Sequence, residues 1–435
     1  MDPKEKLFSK VLLALILLIM AVGSWFVNRS HDGIELVIGS FAGSYWDTPN
    51  GDSYQILDEV IRQFEEAHPN VHVRYVSGIR ADDYSEWLAE QILRGREPDL
   101  FFVLPEDFSV LASSGILADL DKLVANDRDF DPNAYYEPCM EAGVLNGQQY
   151  ALPYESVPTI MFVNKTLLAK NDIAFPRSSW TWEDFHEICR KVTSVQDQQY
   201  GVYNYSWLDA AYANGASLFA KDGSASLLSD EKILDAIQFV MQVDSLNMGF
   251  SVTARDFDLG HVAFRPFLYS EYRAYQPYPW RVKKYTNFDW EGITMPAGPE
   301  GGNISQLNTM LLGMSSRTRH QSLAWEFVKL LSYNEETQKN LCRLSSGISP
   351  LIAVAEDPVV VALMQENIPG GSSFDQKLIH QIMSTAAARP NFSGYDEALS
   401  KADSAVWEGM KTDQMTAASL AAIEREINRL LSRRR

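Results

Sequence analysis

From Ile34 onward the chain alternates short apolar runs with longer segments whose apolar residues recur every three or four positions. That alternation constrains the fold more than any other feature. Buried strands joined by amphipathic helices stack as an α/β layer with a mostly parallel sheet. Ile34 to Ile38 reads as a buried strand ending at Gly39. Ser53 to Ala67 carries a helical stripe of Ile56, Leu57, Val60, Ile61 and Phe64, stopped by His68-Pro69-Asn70. Val71, Val73 and Tyr75 alternate as a second strand, Asp82 to Leu93 is a second helix, and Pro98-Asp99 opens a third strand, Leu100 to Leu104. Farther on, Thr159 to Val163, Val262 to Phe264, Ile293 to Met295 and Met310 to Met314 are apolar and strand-like. Helices are expected over Asn164–Lys170, Trp182–Val192, Asp230–Leu246, Leu323–Leu331 and Glu335–Leu344. Thr181 and Asp184 stand at capping-box spacing ahead of the second of these. Asp396 to Leu431 reads as a helical tail broken near Gly409. At 435 residues and ~150 residues per domain, two to three domains are expected.

The first thirty residues differ from the rest. Lys4, Lys6 and Lys10 precede an unbroken apolar run from Val11 to Val22, and Trp25-Phe26-Val27 follows Gly23-Ser24. A basic segment before an apolar core is an export signal. Val11 to Val27 is seventeen residues without a charge, the lower limit of the ~17–25 that span a bilayer. Ala21-Val22-Gly23 equally offers a small-x-small cleavage site. An uncleaved anchor and a cleaved signal therefore both stand. In either case the positive charges precede the run, which places Asp32 onward outside the membrane. No cysteine follows the run, which excludes a lipoprotein anchor.

Composition removes several classes. Hydrophobic residues are 46% and charged residues 22%, which is globular and not disordered composition. The net charge of −19, without a basic stripe, argues against a nucleic-acid partner. Cys139, Cys189 and Cys342 make no CxxC pair and read as small buried residues. There is no phosphate loop, no GxGxxG after a strand and no GxSxG elbow. Of the seven histidines only His68 and His72 are close, and Pro69-Asn70 between them keeps them off one helix face. No metal or cofactor is implied. A glycosidase carboxylate pair stays open, because its separation is a three-dimensional fact.

The aromatic content is the positive signal: 21 Phe, 19 Tyr and 10 Trp. Tyr45-Trp46-Asp47 follows the first strand, Tyr154-Glu155 follows Pro153, and Tyr205-Ser206-Trp207-Leu208-Asp209 ends a strand-like run. Tyr269, Tyr272, Tyr275, Tyr278 and Trp280 cluster after Phe264. Aromatic faces beside carboxylates and amides suit a sugar, whose C–H face lies on a ring while its hydroxyls pair with Asp, Glu and Asn. An anionic ligand would want Arg or Lys instead. Only Arg265, Arg273 and Arg281 are candidates, and each also reads as a solvated, salt-bridged side chain.

Several stretches, taken in order, carry a resemblance. They are Phe64 to Val73, Gly95 to Phe102 with Pro98-Asp99, and Asn146-Gly147-Gln148-Gln149-Tyr150-Ala151-Leu152-Pro153. Phe162-Val163-Asn164-Lys165 with Leu168 and Ser179-Trp180-Thr181-Trp182-Glu183-Asp184-Phe185 come next. Pro296 to Gly302, Ala324 to Leu331 with Gln338, and Gly347-Ile348-Ser349-Pro350 complete the set. Together the chain resembles the extracellular solute-binding proteins of ABC importers, family 1, of the maltodextrin-binding type. The lipobox cysteine usual in Gram-positive members is missing, and Gly260 to Ser270 departs from the family's small-residue turn.

The resemblance implies a two-lobed, type II periplasmic-binding-protein-like α/β fold with a ligand cleft between the lobes. Residues 1–30 would be the signal or anchor, 33–153 plus 308–345 the first lobe, and 154–307 plus 346–435 the second. The hinge would be crossed near Tyr154–Val157, Leu307–Met310 and Ser346–Pro350. Carried over by position, ligand contacts would come from Trp46, Asp47, Glu106, Tyr154, Glu155, Tyr205, Trp207, Asp209, Tyr269, Ser270 and Tyr395, with Trp207 foremost. Trp182, Trp290, Trp325 and Trp407 would be structural. The implied partners are a carbohydrate and ABC permease subunits, with the N-terminal segment meeting the membrane, and the chain would be monomeric and not an enzyme. The rival readings are a secreted carbohydrate-active hydrolase and a binding protein that feeds a sensor.

Overall fold

The computed structural model describes residues 33–46, 53–274, 288–365 and 375–433. The expected anchor, Asp47, Tyr275, Tyr278, Trp280 and Arg281 lie outside the described residues.

The elements that frame the site begin with β1 (Ile34–Gly39), α1 (Ser53–Ala67), β2 (Val71–Tyr75), α2 (Ala81–Leu93) and β3 (Leu100–Val103). They continue with α3 (Glu137–Glu141), β4 (Ala151–Asn164), α4 (Trp182–Val192), β5 (Tyr200–Val202), α5 (Trp207–Ala213) and α6 (Glu231–Ser245). Next come β6 (Val262–Leu268), α7 (Tyr269–Ala274), β7 (Trp290–Ile293), β8 (Gln306–Met314), α8 (Gln321–Ser332) and α9 (Glu335–Leu344). The last are α10 (Gln376–Thr385), β9 (Ala387–Ala388), α11 (Tyr395–Lys411) and α12 (Ala417–Ser432).

The sheet runs β2-β1-β3-β8-β4-β6-β5, with β7 on β4 and β9 on β8. β2 and β3 flank β1 in parallel, whereas β8 is antiparallel to both β3 and β4. β3 is buried along its whole length, as a strand covered on both faces must be. α1 lays Ile56, Leu57, Val60 and Phe64 on the sheet and turns Arg62, Gln63 and Glu66 to solvent. The capping box at Thr181 and Asp184 is present at the start of α4.

Two apolar clusters fill the molecule. One joins the layers around β1, β2, β3 and β8 and extends to Ile379 and Ile382 of α10. The two short helices Ile352–Ala355 and Pro358–Gln365 bring Val354, Val360 and Met364 into this same cluster. The other gathers Trp182, Phe185, Trp207, Ile233, Ile237, Ala398, Val406 and Ile427 from α4, α5, α6, α11 and α12.

β4 ties the two together. It is fourteen residues long, about 46 Å at ~3.3 Å per residue. Its first half, to Pro158, pairs with β8, and from Thr159 it pairs with β6 and β7. The sequence reading had a strand only over Thr159–Val163. It missed the first half because Pro153, Tyr154, Glu155, Ser156 and Pro158 break the apolar run there. The β4–β8 register shifts between Met310 and Leu311, which leaves Tyr154 as the unpaired residue of a bulge. Beside this, the Ser156 N–H donates to the Ile348 carbonyl at 3.0 Å, and the Ile348 N–H donates back at 2.8 Å. The segments 154–157, 307–310 and 346–350 thus lie side by side.

Near the C-terminus, α11 ends at Lys411 and α12 starts at Ala417, capped by Thr416. The break falls a few residues after Gly409, where the Met415 sulfur packs so closely that a Cβ would sit 2.1 Å from it. Trp182, Trp290 and Trp325 are buried, but Trp407 is 44% exposed on α11 and is not a core residue. All three cysteines are buried and free.

Candidate functional site

In a sheet whose first three strands are parallel, the loops after the strand C-termini meet at one end. There the segment after β1 carries Tyr45 and Trp46, and the turn after β3 carries Glu106. The Tyr45 hydroxyl donates to Glu106 Oε2 at 2.7 Å. Trp46 stands edge-on to Tyr45, with ring centroids 4.8 Å apart, and its indole N–H donates to Glu155 Oε2 at 3.0 Å. Burial, then the Glu106 carboxylate beside it, push the Tyr45 hydroxyl far above its usual pKa. Arg389 and Asp396, from the far side, also act on that hydroxyl. These four positions, Tyr45, Trp46, Glu106 and Glu155, form one wall.

Glu155 sits on β4, where the segments 154–157, 307–310 and 346–350 lie side by side, and is buried. Gly347 crosses directly over it: a Cβ there would lie 2.3 Å from Glu155 Cγ. Only glycine permits this approach. Burial pushes the Glu155 carboxyl above the usual value, while the Trp46 indole, Ser345, the Gly347 N–H and Arg273 pull it back in part. The folded state therefore holds this proton at a pH where the unfolded chain has released it. Stability from this group is full below the ordinary carboxylate range and is lost as pH rises through the raised folded value. Glu155→Gln keeps an acceptor for Trp46 and removes that slope. Melting temperatures followed from pH 4.5 upward to neutrality are expected to fall less in Glu155→Gln than in the parent chain. Parallel curves would contradict the assignment.

Tyr154, in the bulge, is half-buried and edge-on to Phe102 at 4.9 Å, and its carbonyl accepts from Gln338. Tyr269 and Ser270 begin α7 and are fully buried, with Tyr269 stacked on Tyr272 at 5.6 Å. Burial pushes the Tyr269 hydroxyl up to about 12.

The opposite wall comes from the second cluster. Asp209 completes a capping box at the start of α5, accepting from the Ser206 N–H and hydroxyl. Its other oxygen accepts from Gln306 Nε2 at 3.0 Å. Burial pushes the Asp209 carboxyl up, against the pull of those hydrogen bonds. Tyr212, one turn on, lies close to Tyr395, Arg389 and Asp209. The Arg389 guanidinium stands 4.7 Å over the Tyr395 ring and donates to Asp396 Oδ2 at 2.6 Å. Its Nε is buried without a hydrogen-bond partner among the described residues. Arg389 also borders the small cavity against Pro105 and Phe108 of the first wall. Arg389 is therefore a cation between the two halves, as is Lys221, which pairs with Glu141 at 2.6 Å. Next to Arg389, Asn391 Nδ2 donates to the carbonyls of Ala142 and Val144, pinning this segment to the opposite half. A cavity of about 510 Å³ opens there, lined by Glu141, Asn146, Tyr212, Leu218, Lys221 and Arg389.

The residues expected at the site thus divide. Trp46, Glu106, Tyr154 and Glu155 assemble on one side, and Asp209 and Tyr395 on the other. Tyr205 and Trp207 lie inside the second apolar cluster. Tyr205 meets Phe185 edge-on at 5.0 Å, and Trp207 is 1% exposed and donates to Asp403 Oδ1 at 2.7 Å. Tyr269 and Ser270 are fully enclosed. The sequence reading missed Arg389, Tyr212 and Gln306. Nothing local marks Arg389, which precedes Pro390 in an extended segment. Arg265, one of the three candidate cations, is not solvated: its guanidinium lies 3.8 Å from the Phe267 ring centre. Arg273 donates to the Cys342 carbonyl. No group of three or more metal-ligating side chains occurs among the described residues.

Rings, carboxylates and cationic side chains divided between two halves can enclose a polar ligand. Comparison with known proteins agrees. Residues 48–338 match the family model described as bacterial extracellular solute-binding protein. The chain is 23% identical over 366 residues to an uncharacterized lipoprotein in the oleD 5′ region of Streptomyces antibioticus, covering 78% of this chain and 75% of that one. It is 25% identical over 328 residues to an arabinooligosaccharide-binding protein of Bacillus subtilis, covering 71% and 72%. Among solved structures, an ABC substrate-binding protein of Listeria monocytogenes in complex with cycloalternan superposes with a TM-score of 0.69 at 20% identity, covering 92% of this chain and all of that one. The fold is that of the two-lobed type II binding proteins.

Proposed function

The chain belongs to the bacterial extracellular solute-binding protein family, and from that premise we propose that it captures a sugar or oligosaccharide between its lobes and hands it to an ABC permease. The observation that carries this reading is the facing pair of walls. Tyr45, Trp46, Glu106 and Glu155 stand opposite Asp209, Tyr212, Arg389 and Tyr395. Rings and acids on both sides suit a saccharide, and the three adjacent hinge segments suit lobes that close on it. The first lobe would comprise 33–153 and 308–345, and the second 154–307 and 346–435. Relatives named for arabinooligosaccharide and maltotriose binding support the ligand class. The body would work outside the cytoplasmic membrane as a monomer, held there by residues 1–30, and would leave its ligand chemically unchanged.

A thermal-shift screen of the full chain tests this. Maltodextrins, arabino-oligosaccharides and cyclic α-glucans would be set beside sugar phosphates and polyamines. A ligand at a hundred times its dissociation constant stabilises the native state by about 2.7 kcal/mol. The expected result is a rise in melting temperature with a saccharide that is recovered intact. Release of new reducing ends would favour a hydrolase. A response confined to phosphates or polyamines would overturn the ligand class.

A further inference from the structure

The last helix carries a charged feature outside the two walls of the cleft. α11 and α12 form an antiparallel pair, joined where Lys401 Nζ meets Glu426 Oε1 at 2.7 Å. α12 buries Leu420, Ile427 and Leu431 in the second apolar cluster. Its rotation is fixed from one flank: Glu424 accepts the Ser229 N–H at 2.6 Å, and Asn428 accepts the Ser226 N–H at 2.7 Å. The face left to solvent carries Arg425, Arg429 and Arg433, with Ala418 and Ala422 beside them, all exposed. Residues four apart share a helix face and stand about 6 Å apart along its axis. No basic stripe is legible in the sequence, because other residue types separate these arginines. The helix gathers them.

Between the two helices lies a groove of about 420 Å³, lined by Lys401, Arg425, Glu426, Arg429, Leu430 and Arg433. Four cations there face one carboxylate, and that carboxylate already holds Lys401. None of the three arginines makes an ion pair among the described residues. Glu397, one turn before Lys401, does not line the groove, and Arg434 and Arg435 follow α12 directly in the sequence. A helix C-terminus favours cations, which accounts for Arg429 and Arg433 but not for Arg425, two turns from the end. All three side chains are Arg and not Lys, and a guanidinium fork matches two phosphate oxygens at once. No aromatic side chain lines the groove, so it offers nothing for a base to stack on. The exposed neighbours Ala418 and Ala422 present little apolar area to a bilayer.

We propose that this groove binds a phosphodiester chain without bases, of the poly(alditol phosphate) kind, running along α12 with successive phosphates on Arg425, Arg429 and Arg433. The net charge of −19 makes the rest of the surface repel such a chain, and screening within ~8 Å confines the attraction to the stripe. The extracytoplasmic location of the family exposes α12 to the anionic polymers of a cell envelope. The groove holds the protein in that layer whether or not the N-terminal segment is cleaved. It is independent of what fills the cleft, since none of its residues belongs to either wall.

The test follows the anisotropy of fluorescent poly(glycerol phosphate) as the full chain is added in a neutral detergent. Three phosphate contacts give a salt slope of about −2, so affinity should fall about twentyfold between roughly 50 and 200 mM salt. The Arg425→Gln/Arg429→Gln/Arg433→Gln variant should bind at least about tenfold more weakly, with an unchanged melting temperature. An Arg74→Gln/Arg80→Gln/Arg190→Gln control removes the same charge from three paired arginines and should bind like the parent chain. Absence of binding at the lower salt, undiminished binding by the α12 variant, or an equal loss in the control would each overturn the proposal. Equal affinity for oligothymidylate would overturn the exclusion of bases. Phosphatidylglycerol vesicles that lose the α12 variant while the polymer retains it would overturn the polymer in favour of a bilayer.

Discussion

Trp207→Ala lowers the melting temperature of the ligand-free chain by about 10 °C, from a loss of about 3–5 kcal/mol in the second lobe. The ring is 1% exposed and sits in the cluster built by α4, α5, α6, α11 and α12. Its removal leaves a cavity that those helices cannot close. It also strips the half-buried Asp403 carboxylate of the 2.7 Å indole hydrogen bond. Trp207→Phe, which keeps most of the volume, is expected to recover more than half of the loss. Differential scanning fluorimetry without ligand reads both. A tryptophan used only as a stacking platform would behave otherwise. Its alanine variant would melt like the parent and lose only the ligand-induced shift, and that result would return Trp207 to the cleft.

Glu106 is expected to show the reverse pattern. Its side chain is exposed, and among the described residues its one hydrogen bond is to Tyr45. Glu106→Ala should therefore leave the melting temperature of the free chain nearly unchanged. A carboxylate accepting from sugar hydroxyls contributes about 1.5–3 kcal/mol, so the variant should bind its saccharide about tenfold to a hundredfold more weakly. Tyr45→Phe frees Glu106 from its partner without removing it. Isothermal titration of both single variants and the double variant gives their coupling. Unchanged affinity in Glu106→Ala would remove this wall from the site.

The two cases explain why the cleft was only half legible in the sequence. Loops after strands one and three could be found from periodicity, and the family resemblance, carried over by position, put Trp46 and Glu106 at one cleft. Trp207 looked the same on paper: an aromatic beside Ser206 and Asp209 at the end of a strand-like run. Its Ser206–Asp209 pair is a capping box, and the helix that this box starts turns the indole inward. The choice depended on α11, almost two hundred residues later, which supplies Asp403. Arg389 was invisible for a related reason. It gains meaning only because the final crossing places it over Tyr395 and against Pro105 and Phe108.

What the sequence determined alone was whatever depends on near neighbours. The strand–helix alternation, the capping box at Thr181 and the stripe of α1 are local consequences of period, propensity and hydrogen bonding within a few residues. The net charge and the apolar N-terminal run are sums that need no fold. Tertiary structure decided which aromatics face a cleft and which face a core, since both environments favour the same residue types. It also decided that β4 is one continuous strand contributing to both apolar clusters. A strand interrupted by Pro153 and Pro158 shows no period of its own, and only its pairing with β8 on one half and β6 on the other holds it extended.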